Sequence, residues 1–74
     1  MKYFQADLVN FDENNIPYHV TTVFLKSEKT PTREEVEEFC REELNLDFEE
    51  AFTIRRLNED EIMLEADGDT IYAI

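Results

Sequence analysis

One glycine, one cysteine, two prolines and no tryptophan occur among the 74 residues, and no lysine follows Lys29. Each scarcity excludes something. A lone glycine cannot build a glycine-rich phosphate loop. A lone cysteine, Cys40, cannot close an internal disulfide, whereas small secreted domains ordinarily carry several. With a single histidine beside it, Cys40 cannot complete a zinc site either. No stretch approaches the ~20 consecutive apolar residues of a membrane helix. The opening residues lack a signal-peptide core, because Gln5 and Asp7 interrupt it. These features lead to the expectation of an intracellular, reducing compartment such as the cytoplasm, and of no metal or other cofactor.

What is present is the composition of a folded chain. Hydrophobic residues make up 42%, and six Phe and three Tyr supply large side chains, unlike the aromatic-poor composition of disordered segments. The length fits one domain, residues 1–74, with a thin core, since a chain of this size buries only about 60% of the surface it exposes unfolded.

Charge is the dominant feature. Nineteen acids against seven bases give a net charge of −12. Residues 1–33 hold four of each sign, while residues 34–74 hold fifteen acids and three bases (Arg41, Arg55, Arg56), so the whole of the −12 lies in the second part. Such a field repels nucleic acid and anionic membranes and attracts basic protein surfaces, which belong chiefly to proteins that hold DNA or RNA. The plainer alternative is that the acidity keeps the chain soluble.

Residues 2–10 alternate with the period of two expected of a strand, and Asp12-Glu13-Asn14-Asn15 forms a turn by side-chain-to-backbone bonding. Residues 17–26 are rich in β-branched and aromatic side chains and read as a second strand. Thr32 followed three residues later by Glu35 is a capping box, with Thr30-Pro31 a competing helix start. The helix runs to about Leu44 or Asn45, placing Val36, Phe39, Cys40 and Leu44 on one face. Residues 51–57 give a third strand, and Asn58-Glu59-Asp60 a turn. Residues 61–66 give a fourth strand, in which Ile62, Leu64 and Ala66 alternate with Glu61, Met63 and Glu65. Asp67-Gly68 is a hairpin signal leading to a fifth strand at 70–74. The expected fold is α+β and two-layered: one amphipathic helix on an antiparallel sheet, in the order β-β-α-β-β-β. Its second face is left open, with some of Tyr3, Val9, Tyr18 and Tyr72 on it.

The helix carries Glu34, Glu38 and Glu42 at i, i+4, i+8, with Glu35 beside them, nearly opposite Val36. Each like-charged pair opposes folding by roughly 0.2–0.5 kcal/mol. First-turn acids complement the helix dipole, which accounts for Glu34 and Glu35 but not for Glu38, Glu42 or Glu43. The row places carboxylates one turn (~5.4 Å) apart. Asp47, Glu49 and Glu50 extend it past the helix, and Glu59, Asp60 and Glu61 add a cluster at the expected hairpin tip. Together these ten acids could imitate a phosphate backbone for an Arg/Lys-lined groove. The alternative is a solvated helix face, with Arg41 pairing with Glu37 and Glu38.

Other chemistry is sparsely represented. Cys40 on an apolar helix face reads as a small buried hydrophobe rather than a thiolate partner of His19. Asp67-Gly68-Asp69 and Asp12-Glu13-Asn14 lack the twelve-residue spacing and closing Glu of a calcium loop. Arg55-Arg56 reads as an internal ion pair with the surrounding acids, one arginine facing the core side of the sheet.

The segment Thr32-Arg33-Glu34-Glu35-Val36-Glu37-Glu38-Phe39, followed by Phe52-Thr53-Ile54-Arg55-Arg56-Leu57, resembles a pattern common in very small phage-encoded proteins. In these a β-hairpin leads into a Glu-rich helix and then a strand. The outline over residues 17–57 is similar to the small phage inhibitor of bacterial RNA polymerase, and the size and acidity are similar to those of many anti-CRISPR proteins. The resemblance implies a stoichiometric inhibitor of a host nucleic-acid enzyme, such as a CRISPR effector; it carries no functional residue across, and the strands expected at 61–74 depart from the polymerase inhibitor's outline. The expected function is therefore a non-enzymatic binding protein. Its partner is a basic protein surface rather than nucleic acid or membrane. The alternative is an assembly module that self-associates, as a homodimer, through the open sheet face.

Overall fold

The computed structural model describes residues 1–74. The chain runs β1 (Lys2–Phe11), β2 (Pro17–Ser27), α1 (Arg33–Glu42), β3 (Glu50–Leu57), α2 (Glu59–Glu65), β4 (Ile71–Ala73). The strands form one sheet in the order β3-β1-β2-β4. The fold is α+β as expected, with two differences: the sheet is mixed, and a second helix replaces the strand expected at 61–66.

The β1–β2 hairpin is the backbone of the molecule. Its turn closes as expected: Asp12 Oδ1 accepts from the Asn14 and Ile16 N–H groups at 2.8 and 2.9 Å, and Asn15 takes a positive φ of 63°. Strands of ten and eleven residues at ~3.3 Å per residue account for the 38 Å long axis of a body only 22 × 19 Å across. Residues 12–20 at its far end are all exposed.

β1 is regular, but both of its neighbours carry an extra residue at nearly the same level. Leu8 pairs with Thr21 and Val9 with His19, which leaves Val20 over; Asp7 pairs with Thr53 and Leu8 with Ala51, which leaves Phe52 over. A bulge bends its strand and increases the local twist, and two at nearly one level concentrate that twist where the hairpin end begins.

α1 begins at the expected capping box. The Glu35 N–H donates to Thr32 Oγ1 at 3.1 Å, and the Thr32 N–H donates to Glu35 Oε1 at 2.9 Å. It ends where Asn45 turns left-handed (φ 53°), letting the Leu46 N–H reach the Cys40 carbonyl at 3.0 Å. Val36 and Cys40 insert into a core formed with Phe4, Ala6, Leu8, Val23, Leu25, Phe48 and Ala51. Truncating a side chain such as Leu8 or Leu25, each 0% exposed, costs about 2–5 kcal/mol.

α2 lies on the opposite face. Its cap repeats the device of α1: the Glu61 N–H donates to Asn58 Oδ1, and the Asn58 N–H donates to Glu61 Oε1. Ile62 and Ala66, one turn apart, pack with Phe24, Leu57, Tyr3 and Ile71. The alternation of Ile62, Leu64 and Ala66 is therefore misleading, because Leu64 is 79% exposed while the i, i+4 pair is buried. The face expected to be open is covered by α2 at one end, and the arrangement is helix, sheet, helix. Tyr3 packs against α2, whereas Tyr72 packs on the α1 side, 6.1 Å from Phe39.

Asp67-Gly68 closes no hairpin. Gly68 (φ 82°) carries the chain out of α2, and β4 joins β2 in parallel, Phe24 opposite Ile71 and Lys26 opposite Ala73. A parallel neighbour needs a crossover, and α2 is the helix that makes it. No helix is long and apolar enough to cross a membrane.

Candidate functional site

The ten expected site acids do not form one surface. Glu34, Glu35, Glu38 and Glu42 are exposed on the outer side of α1. Glu35, Glu38, Glu42 and Glu43, with Phe39 and Ile74, line an open groove of about 300 Å³. Asp47, Glu49 and Glu50 follow at the end of α1 and the start of β3, of which Asp47 and Glu49 are exposed. Glu59, Asp60 and Glu61 occupy the first turn of α2, not a hairpin tip, and belong to the other face of the sheet.

Several acids have structural tasks. Glu35 and Glu61 complete the two capping boxes. The backbone N–H of Thr32 and then its hydroxyl hold the Glu35 carboxyl below its ordinary range. Glu49 Oε1 accepts from the Phe11 N–H at 3.3 Å, and Glu37 Oε2 from the Ala51 N–H at 2.9 Å. Arg41 does not serve the acid row: its guanidinium donates to the carbonyls of Phe48 and Glu49 at 3.4 and 2.8 Å and lies 4.4 Å over the Phe48 ring. Glu34, Glu38 and Glu42 thus keep their mutual repulsion, since both helical cations donate to backbone carbonyls of β3 and its approach, Arg33 to Phe52 and Arg41 to Phe48 and Glu49.

The part of the second sheet face that α2 leaves uncovered is polar. Asp7 stands at its centre, accepting from Thr22 Oγ1 at 2.9 Å and Thr53 Oγ1 at 2.8 Å, with Gln5 Nε2 at 3.4 Å. Burial raises the Asp7 pKa, but the bonds from Thr53, Thr22 and Gln5, with the nearby His19, outweigh it and hold the carboxyl below its ordinary value. The Thr22 hydroxyl is spent on Asp7, so His19 Nε2, 2.8 Å away, donates to it. Arg55 extends the lattice through Gln5 Oε1 at 2.9 Å rather than through an acid. Arg56, paired in register with Phe4, is the arginine on the α1 side.

His19 and Cys40 are separated by the sheet. His19 joins the Asp7 lattice, while Cys40 is 0% exposed under α1, where burial pushes its thiol pKa up despite Arg41. No group of three or more His, Cys, Asp or Glu converges as metal ligands would.

Two exposed apolar features are only partly legible in the sequence, which offers Tyr18 for an open face and sets Met63 among the acids of the expected strand. At the hairpin end Ile16, Tyr18, Val20 and Phe52 are exposed, and Phe52 meets Phe11 edge to face at 6.3 Å. On α2, Met63 and Leu64 are 76% and 79% exposed. Strand alternation assigns Leu64 to the core side with Ile62 and Ala66; only the helical phase set by the Asn58 cap shows that it faces solvent. Comparison of the chain with protein-family models, with curated proteins and with solved structures finds no match.

Proposed function

We propose that the chain is a binding protein that inhibits a nucleic-acid-binding partner, a CRISPR effector or another host nucleic-acid enzyme, by occupying its basic site. The observation that carries this reading is the exposed Glu34–Glu38–Glu42 row, which opposes helix formation and which Arg41 does not neutralise. A row kept at a cost to stability has its use in binding, where an Arg/Lys-lined groove supplies the missing counter-charges and releases its own counterions. The α1 face, with Asp47 and Glu49 continuing it, is the docking surface of this reading; Glu59, Asp60 and Glu61 lie on the other sheet face and do not join it.

The test is capture of partners from bacterial lysate by the tagged chain and by an E34Q/E38Q/E42Q variant. A nucleic-acid enzyme that is released by salt, inhibited by the wild-type chain and bound at least tenfold more weakly by the variant supports the reading. Unchanged affinity in the variant removes it.

The second reading, a self-associating module, draws support from the exposed Ile16, Tyr18, Val20 and Phe52 at the hairpin end, whose residues 12–20 carry only two charged side chains, Asp12 and Glu13. A dimer that survives high salt in sedimentation and is lost in Tyr18→Ser favours it.

A further inference from the structure

The least explained side chains in the fold are Met63 and Leu64. They follow one another on a seven-residue helix whose buried side is already satisfied by Ile62 and Ala66. Neither contributes to the core, and both stand more than three-quarters exposed. Met63 borders a groove of about 460 Å³ with Tyr3, Ile62, Glu59 and Asp60. Leu64 follows it in the chain, outside the groove lining and exposed to solvent. Single exposed apolar residues are ordinary; an adjacent pair next to an apolar-floored groove has the form of an interface anchor.

Charge decides what covers it. Residues 57–74 contain six acids (Glu59, Asp60, Glu61, Glu65, Asp67, Asp69) and no base. Lys2 and Arg56 stand at the neighbouring groove, with Glu59 and Glu61, and Lys26 and Arg55 share the α2 side of the sheet, in register with Tyr3 and Gln5. Two copies of the chain meeting through α2 would press six acids from each together, more than the bases beside them can offset, and an anionic membrane would meet the same repulsion. An apolar pair bordered by carboxylates matches a basic amphipathic segment, with apolar side chains at the centre and Lys or Arg at the rim.

We propose that α2 is a docking surface for a basic amphipathic protein segment, anchored by Met63 and Leu64 and separate from the α1 row. The proposal rests on the reading of the chain as a binder of basic protein surfaces but places the apolar anchor on the other side of the sheet. Because α1 and α2 cover opposite faces, the two surfaces can be occupied at once.

The probe is a synthetic amphipathic helix of leucine and lysine, titrated into the isotope-labelled chain and followed residue by residue by NMR, with polylysine as the charge-only control. The expected result is saturable shifts at Tyr3 and Ile62–Leu64, binding at least tenfold weaker in M63S/L64S, and binding within twofold of wild type in E34Q/E38Q/E42Q. Polylysine should bind α2 at least tenfold more weakly than the amphipathic helix. Both altered residues of M63S/L64S are exposed, so its thermal melt should match wild type and exclude misfolding as the cause. Shifts confined to α1 would overturn this proposal and leave the acid-row reading standing. Shifts confined to α2 would uphold it and weigh against the acid row. Binding to neither face would overturn both. A dimer abolished by M63S/L64S would overturn it by making a second copy the occupant.

Discussion

Asn58 and Glu61 hold each other's backbone: the Asn58 side chain accepts the Glu61 N–H at 2.8 Å, and the Glu61 carboxylate accepts the Asn58 N–H at 3.0 Å. This reciprocal pair starts the helix that crosses the second face of the sheet and leaves Met63 and Leu64 in solvent. Asn58→Ala is expected to destabilise the fold by about 1 kcal/mol. Urea denaturation of Asn58→Ala, Glu61→Ala and the double variant checks this, with coupling between the two sites as the signature of the box.

Glu38 sits in two like-charged i, i+4 pairs, with Glu34 and with Glu42. Glu38→Gln is expected to raise stability by about 0.4–1 kcal/mol in total, with the gain shrinking in 1 M salt, where the screening length falls to about 3 Å. The same variant should weaken binding to a basic partner. A stability gain with no change in binding would assign the row to solubility alone.

Asp7 titrates below its ordinary value of 3.8 in the folded chain. A carboxyl with a depressed folded pKa contributes stability that is present above its unfolded pKa and is lost as pH falls through the folded value. Asp7→Asn keeps one acceptor oxygen and loses the charge, so it should cost about 1–2 kcal/mol near neutrality. It should also flatten the fall in stability below about pH 4. Denaturation midpoints of the two proteins between pH 2 and 7 test both statements, which fail if the curves run parallel.

Cys40 is sealed under α1 with a thiol pKa raised by burial. Its alkylation at pH 8 should be undetectable in the folded chain and rapid in denaturant, tracking global unfolding. Fast modification of the native protein would contradict the packing.

Gly68 holds φ 82°, yet a Cβ there would meet no heavy atom within 4 Å. Gly68→Ala therefore suffers backbone strain alone, about 1 kcal/mol. Gly68→Asn should recover part of it, since asparagine tolerates the left-handed region.

Local chemistry was legible where the competing signals agreed on the kind of element. Thr32 and Glu35 announced α1, Asp12–Asn15 announced the hairpin turn, and the i, i+4, i+8 spacing announced the glutamate row. At residues 58–66 two signals competed. Asn58-x-x-Glu61 has the same capping form as Thr32-x-x-Glu35, but Ile62, Leu64 and Ala66 also have strand periodicity, and that alternation wins only if Leu64 is assumed to be buried. The parallel docking of β4 had no local mark, because a three-residue strand is placed by the crossover rather than by its own pattern. The polar lattice of Gln5, Asp7, Thr22, Thr53 and Arg55 depends on register across three strands, which no single segment encodes. The division of the acids between opposite faces followed from the helix at 59–65 and was invisible while that stretch read as a strand.

The bulges at Val20 and Phe52 bear on a hazard that long hairpins carry. β3 is an outer strand, and β4 covers β2 only between Phe24 and Lys26, so both flanks of the sheet present unpaired backbone. A strand from another molecule that began to extend either flank would lose register at the extra residue. Exposed Tyr18, Val20 and Phe52 would otherwise make these flanks templates for fibril growth. The same two bulges that concentrate the twist therefore act as stops against aggregation.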